Sequence, residues 1–118
     1  LDLEKTFKGI AASSGNSFVH ETESQVILNG SYNINFTMDL VLKDTGLFDD
    51  LAKKLNAPLE ISPKVVEIFK DGQKKYGSRA WSSMIVKRME DLNNIDFRAK
   101  GFPEELVDNE PEEKGYEI

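Results

Sequence analysis

The run Phe36-Thr37-Met38-Asp39-Leu40-Val41-Leu42-Lys43-Asp44-Thr45-Gly46-Leu47 opens the strongest helical signal in the chain. From Met38 to Leu55, residues Leu40, Val41, Leu47, Phe48, Leu51, Ala52 and Leu55 fall on one side of a helical wheel, the signature of a helix with an apolar stripe. Asn56-Ala57-Pro58 ends it, because Asn tolerates a left-handed cap and Pro cannot continue a helix. Two charged residues disturb the pattern. Asp44 falls between Leu40, Leu51 and Leu55, near the middle of the stripe, and Lys43 sits at its edge one turn after Asp39. A carboxylate in apolar surroundings needs donors, since an unpaired buried polar group costs about 1–3 kcal/mol or more. Gly46 leaves the backbone open to another helix or a ligand. Against this, Asp39 and Lys43 make an ordinary i,i+4 surface pair, and Asp44 can simply bond a helix end. Conflicts between pattern and residue type concentrate at functional sites, so both readings stand at this point.

Working outward, Leu3, Phe7, Ile10 and Ala11 recur at three- and four-residue spacing, which predicts a first amphipathic helix stopped by Gly15. A second, weaker helix is predicted over 17–28, ending at Asn29-Gly30. Ser31 to Asn35 is polar and irregular, and a single strand there has nothing to pair with. Beyond Pro58, Ser62 is the expected N-cap and Pro63 the first helical residue. That helix directs Val65, Val66, Phe69 and Tyr76 inward and terminates at Gly77. Ser78 is the expected cap of a last helix with Trp81, Met84, Ile85, Arg88 and Met89 on one face. The expected fold is all-α, a compact bundle of about five helices over residues 1–92. Residues 93–118 hold eight acidic and three basic residues with Pro103 and Pro111, an acidic extension whose composition alone is that of a disordered tail.

Composition excludes several function classes. The 118 residues suffice for one domain. A net charge of -6 argues against a nucleic-acid or anionic-membrane binder, which needs clustered Lys and Arg. There is no Cys and one His, His20, so neither a thiolate nor a His-based metal site is expected. No apolar run approaches a membrane span and no secretory signal is visible; the expected location is cytoplasmic. His20 lies near Phe18 and reads more readily as a satisfied structural residue than as a substrate contact.

The run Phe36 to Leu47 resembles the signature helix of the 3-hydroxyisobutyrate dehydrogenase family, the β-hydroxyacid dehydrogenases related to 6-phosphogluconate dehydrogenase. In that family a Phe precedes a long central helix bearing a Lys-Asp pair, a small residue and Leu. Ser13-Ser14-Gly15 is similar to the small-residue turn that ends the preceding helix, Lys54-Leu55-Asn56-Ala57-Pro58 to the stretch before the penultimate long helix. Tyr76-Gly77 and Trp81-Ser82-Ser83-Met84 are similar to the end of that helix and the start of the last. The likeness covers about residues 1 to 92. It implies the C-terminal helical half of a two-domain NAD- or NADP-dependent enzyme that oxidises a small 3-hydroxy acid by hydride transfer. An N-terminal Rossmann domain binds the cofactor, and the helical half closes over it and makes a homodimer.

The family's acid–base Lys lies on an inter-domain helix in a G-x-x-G-x-G-x-x-x-K-x-x-x-N motif. Neither that motif nor the dinucleotide fingerprint is in this chain, so no catalytic residue is assigned here. The expectation is a fragment that begins just after the inter-domain helix and is inactive without its Rossmann half. The resemblance implies that Lys43 reaches across the cleft to the cofactor and Phe36 lines the nicotinamide side. It implies that Phe18 lies at the substrate and that Asp44 orients polar groups at the cleft, with no metal. Two departures leave the substrate open: Ala80 or Trp81 stands where relatives often carry Asp, and Glu23 and Asn29-Gly30 stand where relatives have a Tyr and Pro-Gly-rich loop. Two rivals remain, a non-catalytic helical dimerisation module and a small adaptor acting through the acidic tail.

Overall fold

The computed structural model of the protein describes residues 1–109, 111, 112 and 115. The helices are α1 (Leu3–Ala11), α2 (Phe18–Asn29), α3 (Met38–Lys54), α4 (Ser62–Tyr76) and α5 (Lys87–Asn93), with a 3-10 turn at Ser82–Val86 leading into α5. The fold is all-α, as the sequence predicts. Among the described residues the only β-type pairings are two isolated backbone bridges, Asn33 with Glu105 and Thr37 with Trp81. No helix among them is long and apolar enough to cross a membrane. Residues 110, 113, 114 and 116–118 of the predicted acidic extension lie outside the described residues.

Local chemistry explains most boundaries. Asp2 caps α1 by accepting from the Lys5 amide, and Ser17 caps α2 by accepting from the His20 amide, each satisfying one of the orphan donors of a first turn. Gly30 closes α2 at φ 96, a left-handed value that glycine adopts without cost. Gly15 does not play this part for α1. The helix has already ended at Ala11, where the Ser13 amide bonds the Ile10 carbonyl at 2.9 Å, a tightened last turn that needs no glycine. Ser62 is not a cap either. Ile61 holds that position, and the Ser62 hydroxyl donates to Asp49 on α3, tying the two helices together. Ser78 caps nothing, because no helix starts there; the last helical segment begins at Ser82 in 3-10 form.

The start of α3 is secured by a distant stretch of chain. Thr37 makes no side-chain cap bond. Instead the Met38 amide donates to the Ala80 carbonyl at 3.0 Å and the Asp39 amide to the Ser78 carbonyl at 3.1 Å, while the Ser82 amide donates back to the Phe36 carbonyl at 2.8 Å. Met38 is wholly buried below this clamp. Gly72 of α4 is the crossing point: a Cβ there would lie 2.6 Å from Ile85 Cδ1 and 3.1 Å from Met38 Sδ.

After α5 the chain turns at Asn94, φ 52, and runs back across the bundle. The Ala99 amide bonds the Leu28 carbonyl at 3.0 Å, Asn29 Nδ2 donates to the Phe102 carbonyl at 3.0 Å, and the Ser31 hydroxyl donates to the Glu104 carbonyl. Phe102 meets Phe7 edge-on with centroids 5.2 Å apart. At the root of this segment Glu90, 2% exposed, accepts from the Tyr32 hydroxyl at 2.6 Å, the Phe97 amide at 2.9 Å and Arg98 at 2.8 Å. Arg98 also donates to the Tyr32 oxygen at 2.7 Å, and its Nε occupies the space a Cβ at Gly30 would need. Burial on its own would push the Glu90 carboxyl up, but the bonds from Tyr32, Phe97 and Arg98 outweigh it and hold it below its ordinary value. Burial and the Glu90 bond push the Tyr32 hydroxyl up to about 12.

A depressed carboxyl contributes stability that is present above its unfolded value, ordinarily 4.5, and is lost as pH falls through the lower folded value. Glu90→Gln removes the charge and keeps the volume, leaving Arg98 without its carboxylate partner. In urea denaturation at neutral pH it is expected to cost about 2–4 kcal/mol. The wild type should then lose stability more steeply than the variant below about pH 4.5. Equal stability of the two, or parallel acid profiles, would remove Glu90 from this role.

Candidate functional site

Helix α3 is apolar on two sides. Met38, Val41, Leu42, Thr45 and Ala52 face the bundle and are buried or half-buried, whereas Leu47, Phe48, Leu51 and Leu55 are each more than half exposed. The stripe that the wheel marks as core is therefore largely an outer face. Asp44 lies within this outer stripe, so the donors that a buried carboxylate would require are not needed; its side chain is 53% exposed. Lys43 stands at the edge of the same stripe, 60% exposed, and among the described residues pairs with Asp44 alone, at 2.9 Å. An exposed pair of this kind is worth little, so an incoming anion can claim Lys43 cheaply. The anticipated Asp39–Lys43 pair does not form. Asp39 instead accepts from Thr37 and from Arg79 at 3.3 Å. The Thr37 bond first, and Arg79 after it, hold the Asp39 carboxyl below its ordinary value. Gly46 faces open space, and among the described residues no helix uses it for close approach.

Phe36 is placed by the Ser82 amide on its carbonyl and stands at the mouth of a cavity of about 430 Å³ between α2, α3, α4 and the 3-10 turn. Val19, Ile27, Val41, Phe69 and Glu23 share the lining. Burial pushes the Glu23 carboxyl up, and among the described residues no ion pair or hydrogen bond offsets that push. The sequence reading treats Glu23 only as a departure from a loop pattern. Its signal was available: Val19, Glu23 and Ile27 recur every fourth residue, a carboxylate interrupting an apolar row. Phe18, half exposed, lines a separate cavity of about 240 Å³ with Thr22, Gln25 and Val107 to Asn109. Lys43 and Asp44 line neither cavity. The four expected site residues thus form no single enclosed pocket; Phe18 lies on α2, Phe36 just before α3, and Lys43 and Asp44 on α3.

Other chemistry is accounted for within the fold. The Phe7 carbonyl can only accept, so His20 Nε2 carries the hydrogen it shares at 3.0 Å, and Ser24 donates to Nδ1 at 3.2 Å. With its ring 4.8 Å from Phe7, His20 staples α1 to α2. The first amides of α3 are bonded to Ser78, Ala80 and Thr37, so that helix start has no donors left for a phosphate. Among the described residues no group of three or more His, Asp or Glu side chains is arranged to hold a metal ion.

The surface thus carries an exposed cation, Lys43, and an aromatic, Phe36, beside a cavity with a largely apolar lining. Residues 1–89 match the family described as "NAD-binding of NADP-dependent 3-hydroxyisobutyrate dehydrogenase", and the chain belongs to this family. Its L-threonate dehydrogenase relatives in Escherichia coli (strain K12) and Haemophilus influenzae are each 27% identical over 87 residues, 74% of this chain and 29% of theirs. The 2-(hydroxymethyl)glutarate dehydrogenase of Eubacterium barkeri is 31% identical over 87 residues, 73% of this chain and 29% of its own. The chain thus spans less than a third of the length of these relatives. The cofactor class is a nicotinamide dinucleotide, NAD or NADP.

Proposed function

We propose that this chain is the helical half of an NAD(P)-dependent dehydrogenase acting on a small 3-hydroxy acid, with residues 1–92 as the helical domain and 93–118 as an extension to it. A separate nucleotide-binding half supplies the dinucleotide fingerprint and the acid–base Lys, and this chain alone does not turn over. The nicotinamide, when bound, accepts or returns the hydride at C3 of the hydroxy acid. The chain's own residues bind and orient. The Lys43 ammonium offers a charge-assisted donor to the cofactor's phosphate and ribose oxygens, released from Asp44 at small cost. Phe36 presents an apolar face to the nicotinamide side and keeps water from it, Phe18 shapes the acyl end, and Asp44 orients polar groups at the cleft. The residues fit such a ligand: a cavity of about 430 Å³ is within the range of small-molecule sites, and Phe36, Phe69 and the aliphatic side chains around them suit a planar ring, with Glu23 and serines supplying polar atoms beside it. The observation that carries the reading is Lys43, a cation left exposed on the family's signature helix with one weakly held partner.

The outer stripe of α3 supports a second element of the proposal, a homodimer. Leu47, Phe48, Leu51 and Leu55 adjoin a groove of about 520 Å³ formed by Phe48, Pro58, Leu59 and Ile61. Large apolar side chains exposed together in this way are ordinarily covered.

In the full-length protein, Lys43→Ala is expected to lower kcat/KM for the hydroxy acid about 10–100-fold in nicotinamide-coupled absorbance, the loss of one charge-assisted bond. Unchanged kcat/KM in the variant would take Lys43 out of the site. Leu51→Glu is expected to convert a sedimenting dimer to monomer; a variant that stays dimeric would place the interface elsewhere.

A further inference from the structure

The cavity of about 430 Å³ at Phe36 holds a carboxylate with no role in the binding scheme above. Of the residues that line it, Glu23 alone carries a charge. The side chains contributed by α3, α4 and the 3-10 turn are apolar or bear a hydroxyl. Two of the serines are already engaged, Ser24 with His20 and Ser83 with the Tyr32 carbonyl. Glu23 itself is half-buried, and among the described residues no cation or donor meets it, so burial pushes its carboxyl up unopposed. An unpaired carboxylate in such a place costs the fold. Its presence in the apolar row of Val19 and Ile27 calls for a cation from outside this chain.

The cofactor class supplies one. The oxidised nicotinamide ring carries a positive charge that the reduced ring lacks, while the phosphates, riboses and outline of the two forms are the same. We propose that Glu23 discriminates between them: its carboxylate, sharing the cavity at Phe36, makes the protein hold the oxidised dinucleotide more tightly than a neutral side chain there would allow. The proposal rests on the dehydrogenase reading above, in which Phe36 lines the nicotinamide side. Lys43 acts on both forms alike, because the oxygens it meets are common to them. Glu23 acts on one, the form that oxidation of a hydroxy acid consumes. Opposite charges brought together near a protein surface change an equilibrium by about tenfold or more, even after screening.

The test measures the affinity of the full-length protein for NAD and NADH, and for NADP and NADPH, by isothermal titration calorimetry. Glu23→Gln keeps the size and one accepting oxygen and removes the charge. It is expected to lower the preference for the oxidised form over the reduced one about tenfold, chiefly by weakening the oxidised form. Without cofactor it should melt no lower than the wild type, because an unpaired charge has left a half-buried place. Glu23→Ala removes the charge together with the side chain, and it carries the test if the first variant fails to fold. An unchanged preference in both variants overturns the proposal and leaves the dehydrogenase reading intact. So does an equal loss of affinity for both forms, which would make Glu23 a structural support. An unchanged preference with a lower melting temperature overturns it too, and assigns the carboxylate to a cation of the nucleotide-binding half. Absence of binding of every dinucleotide to the intact protein overturns the dehydrogenase reading and the role of Glu23 together.

Discussion

The backbone clamp at the start of α3 is the constraint on which the rest depends. A helix leaves its first amides without internal partners, and in this chain Ser78 and Ala80 supply the acceptors from forty residues away. Because the same stretch receives Phe36 through the Ser82 amide, one set of bonds fixes the direction of α3, the position of Phe36 and the entry to α5. Gly72 makes the arrangement sterically possible, since Met38 and Ile85 fill the space a side chain would take. The side chains proposed to meet the ligand therefore ride on a rigid helix and its rigid approach, which is what positioning without reorganisation requires.

Two faces of α3 divide structural work from interaction. The inner face packs on α4 and needs nothing beyond this chain. The outer one carries Lys43, Asp44 and an aliphatic row, and a helix apolar on two sides is ordinarily covered on both. The proposed half-enzyme accounts for both: cation and carboxylate at the cleft edge, aliphatics toward a second copy.

Much of this was legible in the sequence, and the failures share a cause. The helices were legible because their caps and periodicity are local: Ser17 and Gly30 bound α2 as composition predicts, and Asn56 with Pro58 ends α3. The inward direction of α3 was not, because a wheel shows which residues are apolar and not which apolar side meets this chain. Ser62 and Ser78 have the right chemistry for caps, but Asp49 claims the first and the α3 amides claim the carbonyl of the second, both long-range competitors. The segment after α5 was least legible. Residues 93–118 are acidic and poor in aliphatics, and the described stretch as far as Glu105 is held by a buried Glu90 meeting Tyr32 and Arg98 and by bonds to Leu28, Asn29 and Ser31, partners far apart in sequence. Lys43 and Phe36 are proposed as site residues through the signature run, whereas Glu23 was passed over although Val19 and Ile27 flank it at helical spacing.

The claim that most needs testing is that Phe36, held by the Ser82 amide, forms part of the nicotinamide site. Titrating the full-length protein with NADH and NADPH, followed by nicotinamide fluorescence, measures this directly. The account predicts saturable binding of at least one of them, weakened about tenfold or more in Phe36→Ala with the helical circular dichroism unchanged. Absence of binding to the intact protein, or equal affinity in the variant, would contradict it.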